Sequence, residues 1–190
     1  MVITSRRLIV FFEKILHDNK PYKPNRKTHD KHTFYISAAR SLLFNAILNE
    51  RVKLGNWNHA VDGDVFNLDG TGSIFTDTIN DTITHRVASL DIHPTAVLYG
   101  IGNIKQTSKS DEIQRAVLER DDFTTLTTGL EKIGATISYR ALRLIVKHLT
   151  LQWLNDSSLI LEFILPSGTF ATSVLASLCQ SLNQPTHSSD

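Results

Sequence analysis

An α+β fold is what this sequence predicts, and three observations carry the prediction. Helical apolar spacing and strand-like runs occupy separated blocks of the chain instead of alternating as βαβ units would. The block "VDGDVFNLDGTGSIF" is short apolar pieces cut by Asp-Gly pairs, the pattern of tight turns between antiparallel strands. Near the end, two strand-like runs flank Asn155-Asp156-Ser157, and a helical pattern closes the chain.

The elements follow in order. Leu8, Phe11, Phe12 and Ile15 have the spacing of an amphipathic helix, predicted over Arg6 to Leu16. Asn19 to His32, with two prolines and no apolar period, reads as a loop. "FYISAARSLLFNAILNERV" is the most helical segment. Ala38, Leu42, Asn45 and Leu48 mark one stripe, widened by Ile36, Leu43, Phe44 and Ile47, with Ser37 as N-cap. A helix is predicted from Asp77 to Leu90, and "DIHPTAVLYGIG" as a strand or irregular connection. Ser110 to Arg120 and Phe123 to Ile133 read as helices, Ala135 to Trp153 and Leu159 to Leu165 as strands, and Thr169 to Leu182 as the closing helix.

At 190 residues the chain holds one good domain and is short for two. Cys179 is the single cysteine, which excludes a disulfide framework or a thiolate metal cluster within one chain. No apolar run approaches the ~20 residues of a membrane span. Arg6 and Arg7 before "LIVFF" mimic a signal peptide, but Glu13 and Lys14 interrupt the run and no small-residue cleavage site follows. The chain reads as soluble. Met1 to His32 carries eight basic against three acidic residues, whereas Leu54 to Gly134 carries six basic against twelve acidic. A polyanion contacting one face, or a solvated basic loop, fits this asymmetry.

Three constellations suggest chemistry and fail on pattern. Asp62, Asp64 and Asp69 with Gly63 and Gly70 invite a calcium loop, but Phe66, Asn67 and Ser73 stand where its ligands and glycine belong. His29 and His32 in "HDKH" have no further ligands at zinc spacing. No Gly-x-Ser-x-Gly elbow supports a hydrolase triad. The stretch "LPSGTFATSVL" carries more. Pro166 ends a strand, and Ser167 or Thr169 can cap the helix that follows. Ser167-Gly168-Thr169 could instead present N–H groups to an anion, although the P-loop pattern is absent. Phe170 fits a core position or a platform for a stacked base.

Several of these segments together resemble one family, the TruD-type tRNA pseudouridine synthases. "FYISAARSLLFNAILNERV" followed by "VDGDVFNLDGTGSIF" is similar to the family's hallmark core, and "DIHPTAVLYGIG", "YRALRL" and "LPSGTFATSVL" resemble later motifs in the same order. The likeness runs from about Tyr35 to Leu178. It implies an isomerase that converts a uridine of tRNA, position thirteen in bacterial members, to pseudouridine without cofactor or metal. It implies tRNA as the partner, a cytoplasmic monomer, and a target base flipped into a pocket. Phe170, Gly168 and Thr169 fall on the family's pocket-lining motif. Arg40, Arg140 and Arg143 fall on family arginines, with phosphate contact or internal pairing open for each.

The resemblance also implies what is missing. The family's nucleophilic Asp sits in a Gly-x-Lys-Asp motif, followed by Asn-x-Phe and Asn-Tyr-Phe-Gly-x-Gln-Arg-Phe-Gly motifs, and none is in this chain. Ala176-Ser177 stands where the family has Arg-Glu, and Ala96 where it has Gly. The expected organisation is therefore an insertion domain over 1–134 with a basic segment 1–32, the last strands and helix of a catalytic domain over 135–182, and a tail over 183–190. The chain is expected to be inactive alone and to lack an N-terminal half. The alternatives are a non-catalytic RNA-binding module or a truncated product, whose Ile160, Phe163 and Leu165 would be partly uncovered.

Overall fold

A computed structural model describes residues 5–23, 28–165, 169 and 171–182. It is an α+β structure, and the chain divides into two compact units, Met1–Arg143 and Leu144–Asp190.

The first unit begins with helices α1 (Ser5–His17) and α2 (His29–Lys53) and a hairpin of β1 (Val65–Leu68) and β2 (Ile74–Thr76). Helix α3 (Asp81–Ala88) leads into strand β3 (Ile92–Leu98). Helix α4 (Ser108–Leu118), a 3-10 turn at Asp121–Phe123, helix α5 (Thr124–Ile133) and strand β4 (Ser138–Ala141) complete it. The sheet runs β2-β1-β3-β4 with every neighbouring pair antiparallel. β3 is buried from Ile92 to Val97, the polar His93 and Thr95 included, so both its faces are covered and its burial shows no alternation.

Helices α1 and α5 pack closely because Gly129 offers no side chain. A Cβ there would strike the ring of Phe12, which is fully buried. Phe12, Leu43, Val97, Leu126 and Leu130 belong to the main core, and Phe66, Ile83, Val87 and Ile92 form a smaller one beneath α3. Burying each such side chain contributes about 1.5–3 kcal/mol. At α3 the Asn80 side chain accepts from the Ile83 N–H at 2.9 Å, the cap that stops this helix from starting at Asp77.

Two further expectations are corrected. Helix α2 starts at His29, not at Ser37, which lies exposed inside it. The added turns are held by the Tyr35 ring, stacked on Phe11 of α1 at 4.8 Å. The buried stripe is Tyr35, Ala39, Leu43, Ile47 and Arg51, while Asn45 faces solvent. The expected strand from Ala135 to Trp153 is two strands. β4 ends at Ala141, Leu142 donates its N–H to the Pro94 carbonyl at 2.9 Å, and the next strand starts only at Lys147.

The second unit comprises β5 (Lys147–Asn155), β6 (Ser158–Ile164) and α6 (Ala171–Leu182). β5 and β6 pair antiparallel, with Leu151 opposite Leu161 and Trp153 opposite Leu159. Directly opposed residues share a face. That face is apolar, yet Leu151 is 59% and Trp153 68% exposed. Ile160 is exposed on the other face, and Phe163 and Leu165 are half-buried. The tail over 183–190 lies outside the described residues.

Candidate nucleic-acid interface

The three arginines singled out in the sequence have different surroundings. Arg40, on α2, turns its guanidinium to the end of β3 and the start of β4. Its Nε donates to the Tyr99 carbonyl at 3.1 Å, and its Nη2 to the carbonyls of Leu98 and Thr136 and to Ser138 Oγ at 3.0, 2.8 and 2.8 Å. Burial, with the nearby Arg140 charge adding to it, lowers its pKa from the ordinary arginine value. Arg140 on β4 is exposed, and its guanidinium lies over the Phe44 ring at 5.2 Å. Arg40 and Arg140 are therefore neighbours, whereas Arg143 belongs to another cluster.

Arg143 donates through Nη2 to the carbonyls of Val87 and Ile92, at 2.6 and 2.8 Å, and through Nε to His93 Nδ1 at 2.8 Å. Because Nδ1 accepts, the imidazole proton sits on Nε2 and is donated to Asp69 at 3.0 Å. This Asp–His pair has no ring nitrogen left to serve as a base, so it is not part of a hydrolase triad. Desolvation lowers the Arg143 pKa, with the charge of Asp69 opposing.

The acidic stretch serves the fold too. Asp64 is 1% exposed and meets Arg51 in a two-pronged pair, Nη1 to Oδ1 at 2.9 Å and Nη2 to Oδ2 at 3.0 Å. Ser110 Oγ and the Val61 N–H complete its shell at 2.6 and 2.8 Å. Gly63, at φ +79°, is needed because a side chain there would run into the Thr107 carbonyl. Among the described residues no group of three or more His, Cys, Asp or Glu could hold a metal ion. His29 and His32 lie in α2. No helix among the described residues is long and apolar enough to cross a membrane.

In the second unit Thr169 is half-buried just before α6. Gly168 and Phe170 lie outside the described residues.

Comparison with known proteins decides what these motifs belong to. The family model of tRNA pseudouridine synthase D (TruD) matches residues 27–178. The chain belongs to the TruD family. A tRNA pseudouridine synthase D of Psychrobacter arcticus is 40% identical over 186 residues, which covers 93% of this chain and 46% of the relative. One from Hydrogenovibrio crunogenus is 41% identical over 152 residues, covering 80% of this chain and 43% of the relative. A solved structure from Methanosarcina mazei, named there as a tRNA pseudouridine synthase D, matches with a TM-score of 0.60 at 21% identity. It covers 89% of this chain and 43% of that one, and the likeness is one of fold. The chain thus spans less than half the length of these TruD relatives.

Sequence reasoning missed one feature of the first unit. Lys14, Lys20, Lys23, Tyr22 and His32 line a common cleft beside α1. The signal was present in "KPYK", an aromatic ring between lysines, but a prediction of loop from Asn19 to His32 concealed it.

Proposed function

We propose that this chain serves tRNA pseudouridine synthesis, as a TruD-type segment that requires further sequence to act. The observation that carries this reading is the family match over residues 27–178, joined to the absence of any Gly-x-Lys-Asp motif. The reaction proposed is isomerisation of a tRNA uridine, at position thirteen, without cofactor or metal, in the cytoplasm. The chain supplies the family's insertion domain and the closing strands and helix, and a separate segment supplies the nucleophilic carboxylate. Gly168, Thr169 and Phe170 are assigned to the pocket wall. Arg140, the exposed arginine, is assigned to a phosphate. Arg40 and Arg143 act on substrate only through the backbone they hold, since most of their bonds go to backbone carbonyls and the rest to Ser138 and His93.

The exposed apolar face of Leu151 and Trp153 supports the need for a further segment. A two-stranded hairpin is marginal in water and gains stability from a third strand or a covering element. The test is pseudouridine formation in unmodified tRNA, measured with the chain alone and with the N-terminal portion of the Psychrobacter arcticus relative supplied in trans. Turnover only in the mixture is expected. Turnover by the chain alone would sink the requirement for a partner segment. No turnover in either arm, alongside salt-dependent tRNA binding by the chain, would favour the second reading, an RNA-binding module. That reading is supported by the excess of basic residues from Met1 to His32.

A further inference from the structure

The cleft beside α1 has a volume of about 600 Å³, enough for a nucleotide. Its floor is aromatic and held in place. The Phe11 ring stacks on Tyr35 and meets His32 edge-on at 5.0 Å, and Ile15 is buried beside it. Tyr22 closes one side, its hydroxyl 2.9 Å from His32 Nδ1. The turn leading out of α1 is pinned twice. Asp18 Oδ1 accepts from the Lys20 N–H at 3.0 Å, and Lys132 Nζ donates to the carbonyls of Leu16 and Asp18.

The rim is cationic. The ammonium groups of Lys14, Lys20 and Lys23 are exposed at the cleft and pair with no carboxylate among the described residues. Asp18 is the single acid in the lining, and it is occupied with the Lys20 backbone. Burial, then the charges of Lys31 and His29, lower the pKa of His32, so the ring is held toward its neutral form. A flat apolar wall under three unpaired ammonium groups suits a ligand with a planar ring and flanking anions. Single-stranded RNA has both, and its bases stack on aromatic side chains whatever their sequence.

We infer that this cleft holds an unpaired nucleotide of an RNA, its base against Tyr22 and its flanking phosphates at Lys14, Lys20 and Lys23. The inference rests on the reading that this chain meets RNA, and it adds a contact that the family match does not describe. Apart from His32, every lining residue precedes residue 27, where that match begins.

The experiment uses the full chain and a short oligouridylate, in two forms. Oligouridylate carrying 5-iodouridine is photocrosslinked and the adduct mapped by mass spectrometry, and a fluorescent copy gives affinity by anisotropy. The expected adduct is on Tyr22 or His32. Tyr22→Ala weakens binding by roughly 5- to 150-fold, the loss of one stacked base, and Tyr22→Phe, which keeps the ring, retains it. Replacing Lys14, Lys20 and Lys23 with Gln lowers the salt slope of log affinity by about 2. Adducts confined to other residues, an unchanged affinity in Tyr22→Ala, or no binding at low salt would each overturn the inference. The pseudouridine assay is a separate readout. An adduct at Tyr22 with no pseudouridine formed even in the mixture with the N-terminal portion of the relative rejects the proposed function and keeps the cleft. Turnover in that mixture with no adduct at Tyr22 or His32 keeps the function and rejects the cleft.

Discussion

The two units solve the burial problem in opposite ways. In Met1–Arg143 even an ion pair is enclosed: Arg51 and Asp64 are 2% and 1% exposed, and each finds several partners. In Leu144–Asp190 the largest apolar group of the hairpin, Trp153, is 68% exposed. The difference teaches that the first unit has enough chain to close its core, while the second exposes the kind of face that other chain normally covers. The buried polar residues of the first unit are thus structural, and the exposed apolar residues of the second are available for contact.

The contrast can be broken by mutation, and the largest effect belongs to the buried ion pair. Arg51→Met leaves the Asp64 carboxylate buried with only Ser110 and the Val61 N–H as partners. A loss of about 3–5 kcal/mol is expected, read by urea denaturation. Each unit carries one tryptophan, Trp57 and Trp153, so Trp57→Phe isolates the signal of the hairpin. If Arg51→Met shifts the Trp153 transition as far as that of the first unit, the two units melt together and the contrast fails. Next comes Gly63→Ala, which puts a side chain at φ +79° against the Thr107 carbonyl. It is expected to cost about 2 kcal/mol or more, and a midpoint equal to that of the parent chain would refute it.

A third prediction concerns pH. Tyr99 is pushed up to about 12, first by burial and then by its hydroxyl bond to Glu131 at 2.5 Å. The folded state therefore holds this proton more tightly than the unfolded chain, whose tyrosines titrate near about 10. Its contribution is complete below pH of about 10 and is lost as pH rises toward the folded value. Tyr99→Phe should flatten that alkaline decline, measured as denaturation midpoints across the window, and an identical decline in both proteins would exclude Tyr99 as its source. The smallest change in stability is expected for Leu151→Thr combined with Trp153→Thr. Both side chains are exposed, so the midpoint should move by no more than about 0.5 kcal/mol per site, while binding of an apolar dye falls. A large destabilisation would mean that this face is covered in solution, which would sharpen the contrast into an assembly.

Much of the fold was legible, and the failures share a cause. Helices α1, α3, α4 and α5 were visible because each has a one-sided apolar period and a polar opposite face. β3 was left open between strand and irregular connection. It is buried on both faces, so it lacks alternation, and Pro94, which cannot donate to a ladder, lies within it. The first turns of α2 were read as loop because their support is the ring of Phe11, contributed by a different helix. At the candidate interface, the sequence indicated which arginines to inspect but not their partners. Arg40 and Arg143 differ from Arg140 only in what the strands place around them.

The sequence by itself determined the α+β class, the hairpin turn at Asp69-Gly70 and the family, because these depend on local periodicity, turn chemistry and ordered motifs. Asp62-Gly63, by contrast, turns the chain ahead of β1 and joins no pair of strands. Tertiary structure alone decided that Asp64 serves Arg51, and that His93 has no free nitrogen. It also decided that lysines from α1 and the following turn share one aromatic cleft. The reason is physical: a charged side chain takes its role from the groups that desolvate and pair with it, and here those groups lie mostly on other elements of the chain.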